Sequence, residues 1–262
     1  MTLWHSGVLG LVQGVAEFLP ISSSAHLALF PWVLHWEDPG LSFDAALHLG
    51  TLFAALWYYR RRWLAAFADA ARDPRSAGGR LLFGLALGTV PGGIAGLLFE
   101  HRVERWGRFP PVPAACLIVF GLLLGLAARL GARSRRVEDI GWRDALIIGA
   151  AQALALVPGV SRSGITITAG LFLGLGYQDA AAYCFLLAAP ITAAAALHSL
   201  AKLPPGLGGG PFWAGAAVAA VSGALAIKAL IAGLNRWGTR PFVIYRVAAG
   251  LGILALWAAR VG

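Results

Sequence analysis

The sequence predicts an all-α polytopic membrane protein, and three observations carry that prediction. The chain of 262 residues is 58% hydrophobic and only 13% charged, with a mean hydropathy of +0.72. A soluble domain of this length carries nearly twice that charged fraction. Several apolar runs reach the roughly 17–25 residues that a helix needs to cross a bilayer. Two Ser-rich breaks, around Pro20 and Pro158, interrupt this apolar sequence. No length is left for a separate soluble domain. The first residues lack a basic segment and a small-residue cleavage site, which predicts no removable signal peptide.

The elements follow in order. Segment 3–34 holds two short apolar helices, broken at Pro20 and each too short to span alone. A re-entrant hairpin, or a pair of half-helices meeting near mid-membrane, fits that pattern. Full spans are expected at about 43–59, 81–99 and 113–130. Segment 144–176 repeats the broken pattern at Pro158. Three further spans, at about 180–200, 212–234 and 242–259, complete a set of six.

Loop charges orient these spans. Arg60, Arg61, Arg62, Arg72, Arg75 and Arg80 crowd one loop; Arg129, Arg133, Arg135, Arg136 and Arg143 crowd another; Arg236 and Arg240 lie in a third. Alternating spans put all three on one side, the cytoplasmic side under the positive-inside rule. Both termini then fall outside. The expected loop at 100–112 is the exception, since Arg102, Arg105 and Arg108 stand there beside Glu100 and Glu104. The same rule accounts for the net charge of +9 and excludes nucleic acid as a partner. Cys116 and Cys184 sit in apolar stretches without metal-ligand spacing, which assigns them to packing.

The two halves match in plan. Each runs Gln, apolar turn, Pro, Ser cluster, small-residue helix and then three spans, so the expected repeats are 1–135 and 136–262. An odd number of crossings in each half inverts the second relative to the first, and the hairpins then enter from opposite sides with their tips meeting.

Polar groups at such tips are costly unless they are buried among partners or line a cavity, so the breaks mark the functional site. Gln13 and Glu17 are four residues apart on one helical face. A lone carboxylate costs about 2.5–3.5 kcal/mol to insert, which leaves Glu17 two uses: oxygen ligand to a hard divalent cation or partner of Arg162. Ser22, Ser23 and Ser24 stand where a helix restarts, at unpaired N–H groups that attract phosphate. His26 lies within one turn of Ser22 or Ser23, able to take a hydroxyl proton or place a water. Arg162, flanked by Ser161 and Ser163 after Pro158-Gly159, offers a planar fork for phosphate oxygens, and Thr166 continues the hydroxyl lining. Together these parts describe a phosphate site at membrane depth, hence a substrate with a phosphate head and a lipid tail. A carrier for a phosphorylated lipid or an anion is the rival reading, because broken helices in inverted repeats are transporter architecture. A carrier has no need of Glu17, Ser23 and His26 together, which favours a phosphatase.

At these residues the chain resembles a known family. Gln13-Gly-Val-Ala-Glu17-Phe-Leu-Pro-Ile-Ser-Ser-Ser-Ala-His26 and Pro158-Gly-Val-Ser-Arg-Ser-Gly-Ile-Thr166 look like the two signatures of the bacterial undecaprenyl-diphosphatase (BacA-type) family. The likeness extends through Tyr245-Arg246. It implies conversion of undecaprenyl diphosphate to undecaprenyl phosphate, recycling the carrier lipid for peptidoglycan synthesis, in the bacterial inner membrane with the site open to the periplasm. It also implies a divalent cation, Mg or Ca, with Glu17 as its ligand. Under the resemblance Glu17 and Arg162 are essential, His26 assists and Ser23 is the candidate nucleophile. Gln13 stands where many members have Glu, and Ala25 replaces the more usual Gly. Substrate contacts are expected from Gln13, Ser22, Ser24, Ser161, Arg162, Ser163 and Thr166. The expected partners are a prenyl diphosphate lipid and membrane lipids, with a homodimer left open.

Overall fold

The computed structural model describes residues 2–37, 39–107, 109–200 and 209–261. Eleven α-helices and no β-strand occur among the described residues. They are α1 (Leu3–Phe18), α2 (Ser23–Leu34), α3 (Leu41–Tyr58), α4 (Arg60–Arg72), α5 (Ala77–Gly107), α6 (Pro111–Leu130), α7 (Trp142–Ala153), α8 (Arg162–Phe172), α9 (Tyr177–Leu200), α10 (Gly210–Trp237) and α11 (Arg240–Val261). Five apolar stretches are long enough to cross a membrane: Ala77–Phe99, Pro111–Leu130, Tyr177–His198, Gly210–Trp237 and Arg240–Val261. The protein is an all-α, multi-pass membrane protein. The sixth expected span is α3, whose 18 residues cover about 27 Å at 1.5 Å per residue and include Asp44 and His48.

Two expected loops are helical instead. The Arg-rich segment after residue 59 forms α4, because its few apolar side chains recur at helical spacing: Ala66 is buried and Trp63 packs on the core. Residues 97–106 contain neither Gly nor Pro, so α5 continues past its apolar part and stops only at Gly107. Arg108 lies outside the described residues.

Both breaks are built alike. Proline pushes the residue before it out of the helical region, and Leu19 (ψ 140°) and Val157 (ψ 119°) are accordingly extended. Each chain then turns through a serine at positive φ, Ser22 at 76° and Ser161 at 72°. Those serines cap the next helix: Ser22 Oγ accepts from the Ala25 N–H at 3.4 Å and Ser161 Oγ from the Gly164 N–H at 3.0 Å.

Packing follows a matched plan as well. α1 lies along α10 as α7 lies along α5; α3 and α9 cross each other; α6 packs on α11. Small residues permit these approaches. A Cβ on Gly149 would run into the Gly88 carbonyl, and one on Gly14 into Ser222 and Ala219. α9 runs through the centre, contributing the buried Tyr183, Phe185, Leu186 and Leu187 to the main core.

Candidate active site

The two broken segments meet. Gly159 N–H donates to Ser22 Oγ at 3.1 Å, and Ser163 Oγ donates to the Leu19 carbonyl at 3.0 Å. Between them Glu17, 6% exposed, forms an ion pair through Oε1 with Arg162 Nη2. Its other oxygen accepts from Ser23 Oγ, and from Gln13 Nε2 at 3.1 Å. Arg162 Nη1 donates to the Ala188 carbonyl at 3.0 Å and to Thr192 Oγ1 at 2.6 Å. These contacts fix the guanidinium, and among the described residues one Nη2 hydrogen and Nε–H have no partner.

Behind the tips stands Arg246, which is fully buried at 0% exposure. Helix breaks leave carbonyls without intrahelical partners. Arg246 gathers them: it donates to Pro20 O at 3.2 Å, Gly159 O at 2.8 Å and Val160 O at 3.0 Å. It also reaches Leu117 O at 3.2 Å and Cys116 O at 3.4 Å on α6. One cation therefore ties both breaks to the neighbouring span.

A single cavity touches Glu17, Ser23, Ser24, Ser161 and Arg162. Other residues expected at the site are near it in a different capacity. Gln13 backs Glu17. Ser22 and Ser163 hold the tips together, and Thr166 Oγ1 donates back to the Arg162 carbonyl at 2.8 Å. His26 is not turned to Ser23. Its Nδ1–H donates to Ser22 O at 2.7 Å, and Nε2 accepts from the Tyr245 hydroxyl at 2.5 Å. Sequence spacing places His26 one turn from the serines but does not fix which way its ring points.

Three cavity residues escaped the sequence reading. His48 on α3 donates Nδ1–H to the Asp44 carbonyl at 2.7 Å and presents Nε2 to Glu17 Oε2 at 3.7 Å. The rule that singled out Glu17, a costly polar group within an apolar span, would have found it. Thr192 sits on α9 beside the kink-prone Pro190, and Gln152, the glutamine that opens the second break but was given no role there, lies in the last turn of α7; both line the cavity.

Among the described residues, no three His, Cys, Asp or Glu side chains converge as a metal cage. Mg²⁺, however, keeps several waters and is commonly held by one or two carboxylates plus substrate phosphates. A cation shared between Glu17 and a bound phosphate fits the one carboxylate that lines the cavity. A cation caged by the protein alone does not.

Comparison with known proteins follows the same line. The Bacitracin resistance protein BacA family matches residues 6–252. The chain is 47% identical over 266 residues to the undecaprenyl-diphosphatase of Gemmatimonas aurantiaca, covering 99% of this chain and all of that protein. The same figures hold over 261 residues for the undecaprenyl-diphosphatase of Moorella thermoacetica. Identity to that of Geobacter sulfurreducens is 46% over 269 residues. With both breaks, the paired Glu17 and Arg162, and nearly the whole chain inside the match, this protein belongs to the BacA family.

Proposed function

We propose that the protein hydrolyses undecaprenyl diphosphate to undecaprenyl phosphate and inorganic phosphate, recycling the carrier lipid for peptidoglycan synthesis. The observation that carries this reading is the Ser23–Glu17–Arg162 chain on the cavity wall. Such a chain joins a nucleophile, a proton acceptor and a phosphate clamp in one place. Full-length relatives named undecaprenyl-diphosphatase support the substrate.

In this mechanism the uncommitted Arg162 hydrogens and the starts of α2 and α8 hold the terminal phosphate. Ser23 Oγ attacks its phosphorus and passes its proton to Glu17 Oε2. The bond from phosphorus to the bridging oxygen breaks, and prenyl phosphate leaves with the electron pair. Water then attacks the phosphoserine, the bond from phosphorus to Ser23 Oγ breaks, Glu17 returns its proton to Ser23 Oγ, and inorganic phosphate leaves with the oxygen and hydrogens of the water. A water attacking directly in place of Ser23 uses the same acceptor and clamp. His26 acts at one remove, holding the first turn of α2. Glu17 and the substrate's phosphates would hold a Mg or Ca ion, which supplies neutralisation of the charge that develops on the phosphate oxygens.

The matched packing of α1 on α10 and α7 on α5, with the near-identical caps at Ser22 and Ser161, supports reading 1–135 and 136–262 as inverted repeats. Loop charge supports an inner-membrane protein whose site opens to the periplasm. Phosphate release from undecaprenyl or farnesyl diphosphate, by purified protein in detergent with and without Mg or Ca, tests the function. Metal-dependent release that Glu17→Ala and Arg162→Ala both abolish is the expected result. Lipid binding without release by folded protein would point to a carrier.

A further inference from the structure

Among the polar side chains of the cavity that the mechanism leaves out, Gln152 is the one with no hydrogen-bond partner among the described residues. Gln152 is 4% exposed and lines the cavity with Glu17, Ser23 and Arg162. Both its amide nitrogen and its amide oxygen lack a hydrogen-bond partner among the described residues. A buried polar group left bare costs about 1–3 kcal/mol, and such groups are uncommon enough to need an explanation. The other bare amide, Gln13, is different in kind: its nitrogen is committed to Glu17 and it does not line the cavity.

Gly92 stands beside the Gln152 amide, and Leu156 and Ile191 are further apolar residues of the same cavity. A Cβ at residue 92 would stand 3.2 Å from Gln152 Nε2, so the glycine keeps open the space beside the amide. The cavity lining is therefore chemically mixed: Glu17, Ser23 and Arg162 make it ionic, and Gly92, Leu156 and Ile191 make it apolar, with one unsatisfied amide among them.

A prenyl diphosphate joins the same two characters, an anionic head and an apolar chain. Its terminal phosphate is transferred, while the inner phosphate stays on the lipid and must lie between the reacting phosphorus and the chain. We propose that Gln152 binds this retained, lipid-linked phosphate, donating Nε2–H to its oxygens as the bridge breaks. The assignment rests on the diphosphatase reading above. A neutral amide suits the position because it orients the leaving phosphate without a full positive charge that would hold the product.

The test compares wild type, Gln152→Ala and the near-isosteric Gln152→Glu in detergent. Two inhibitors of farnesyl diphosphate hydrolysis separate the subsites: farnesyl phosphate carries the retained phosphate, and orthovanadate imitates the transferred one. Both variants are expected to weaken inhibition by farnesyl phosphate about tenfold, the size of one hydrogen bond to a charged group, with inhibition by vanadate unchanged. Unchanged inhibition by farnesyl phosphate would overturn the assignment. So would an equal loss for both inhibitors, which would place Gln152 at the reacting phosphate or make its role structural. If Gln152→Ala fails to fold, Gln152→Glu carries the comparison. Absence of phosphate release by folded wild type would remove the diphosphatase reading, and this assignment with it.

Discussion

Glu17 is contacted from four directions, by Arg162, Ser23, Gln13 and His48, and a carboxylate so placed responds sharply to small changes. Glu17→Gln keeps the shape but removes the charge. It should lower phosphate release about 10²–10⁴-fold, the usual worth of a positioned proton acceptor. It should also lower the melting temperature in detergent, because the half-buried Arg162 would be left without its counter-charge. Ser23→Ala should lose activity to a similar extent if the serine attacks, while near-normal turnover would identify water as the nucleophile. Tyr245→Phe isolates His26: losing one hydroxyl should cost about 0.5–1.5 kcal/mol of stability and change turnover only a few-fold. A collapse of turnover would mean that the His26–Tyr245 pair touches the reaction. At this scale the sequence exposed charge pairing better than direction. The carboxylate's need for a partner pointed to Arg162, since few alternatives exist within a membrane. The ring of His26 and the inward placement of His48 depend on rotamers and helix rotation, which spacing alone does not specify.

The helix breaks were legible because proline acts locally, on its own N–H and on the residue before it. Less legible was that each break would turn on a serine at positive φ rather than on a glycine. That choice joins a strained backbone to a cap, and substitutions can separate the two. Ser161→Gly loses the cap but relaxes φ, whereas Ser161→Ala loses the cap, worth about 1 kcal/mol, and keeps the strain. The alanine variant should therefore melt lower than the glycine variant, and equal melting would mean that the φ of 72° carries no cost. Arg246 shows the limit of sequence reading for elements. Its stretch was noticed only by likeness, and nothing local reveals that one side chain would collect carbonyls from both breaks and α6. Lysine has three donors and no planar fork, so Arg246→Lys should be destabilised, since two of the five carbonyls lose their donor at about 1–3 kcal/mol each. Thermal unfolding of purified protein measures this, and activity lost without a change in melting would argue against the structural role.

At the scale of the whole molecule, hydropathy located the long spans because burial in lipid imposes one requirement on every residue of a span. It misjudged the segments outside the apolar core, where helical period and the absence of Gly or Pro decide instead. α4 and the far end of α5 are helical for that reason. That no protein-only cation cage occurs among the described residues also has a consequence for the whole fold. Ligands stabilise a protein only as far as they bind its native state. Chelation with EDTA should therefore suppress phosphate release and leave the melting temperature of the substrate-free protein where it was. A large drop in melting temperature would reveal a structural cation instead.

The joining of the two tips also bears on how the protein is made. Glu17 meets Arg162 across 145 residues, and the Pro20 carbonyl meets Arg246 across 226. At about 5–20 residues per second of synthesis, the first hairpin emerges on the order of ten seconds or more before its counter-charge, and later still before the cation that satisfies its carbonyls. During that interval a lone carboxylate and an open turn have no place in lipid. Until the second hairpin is made, the first therefore has to keep its carboxylate and open turn out of the hydrocarbon.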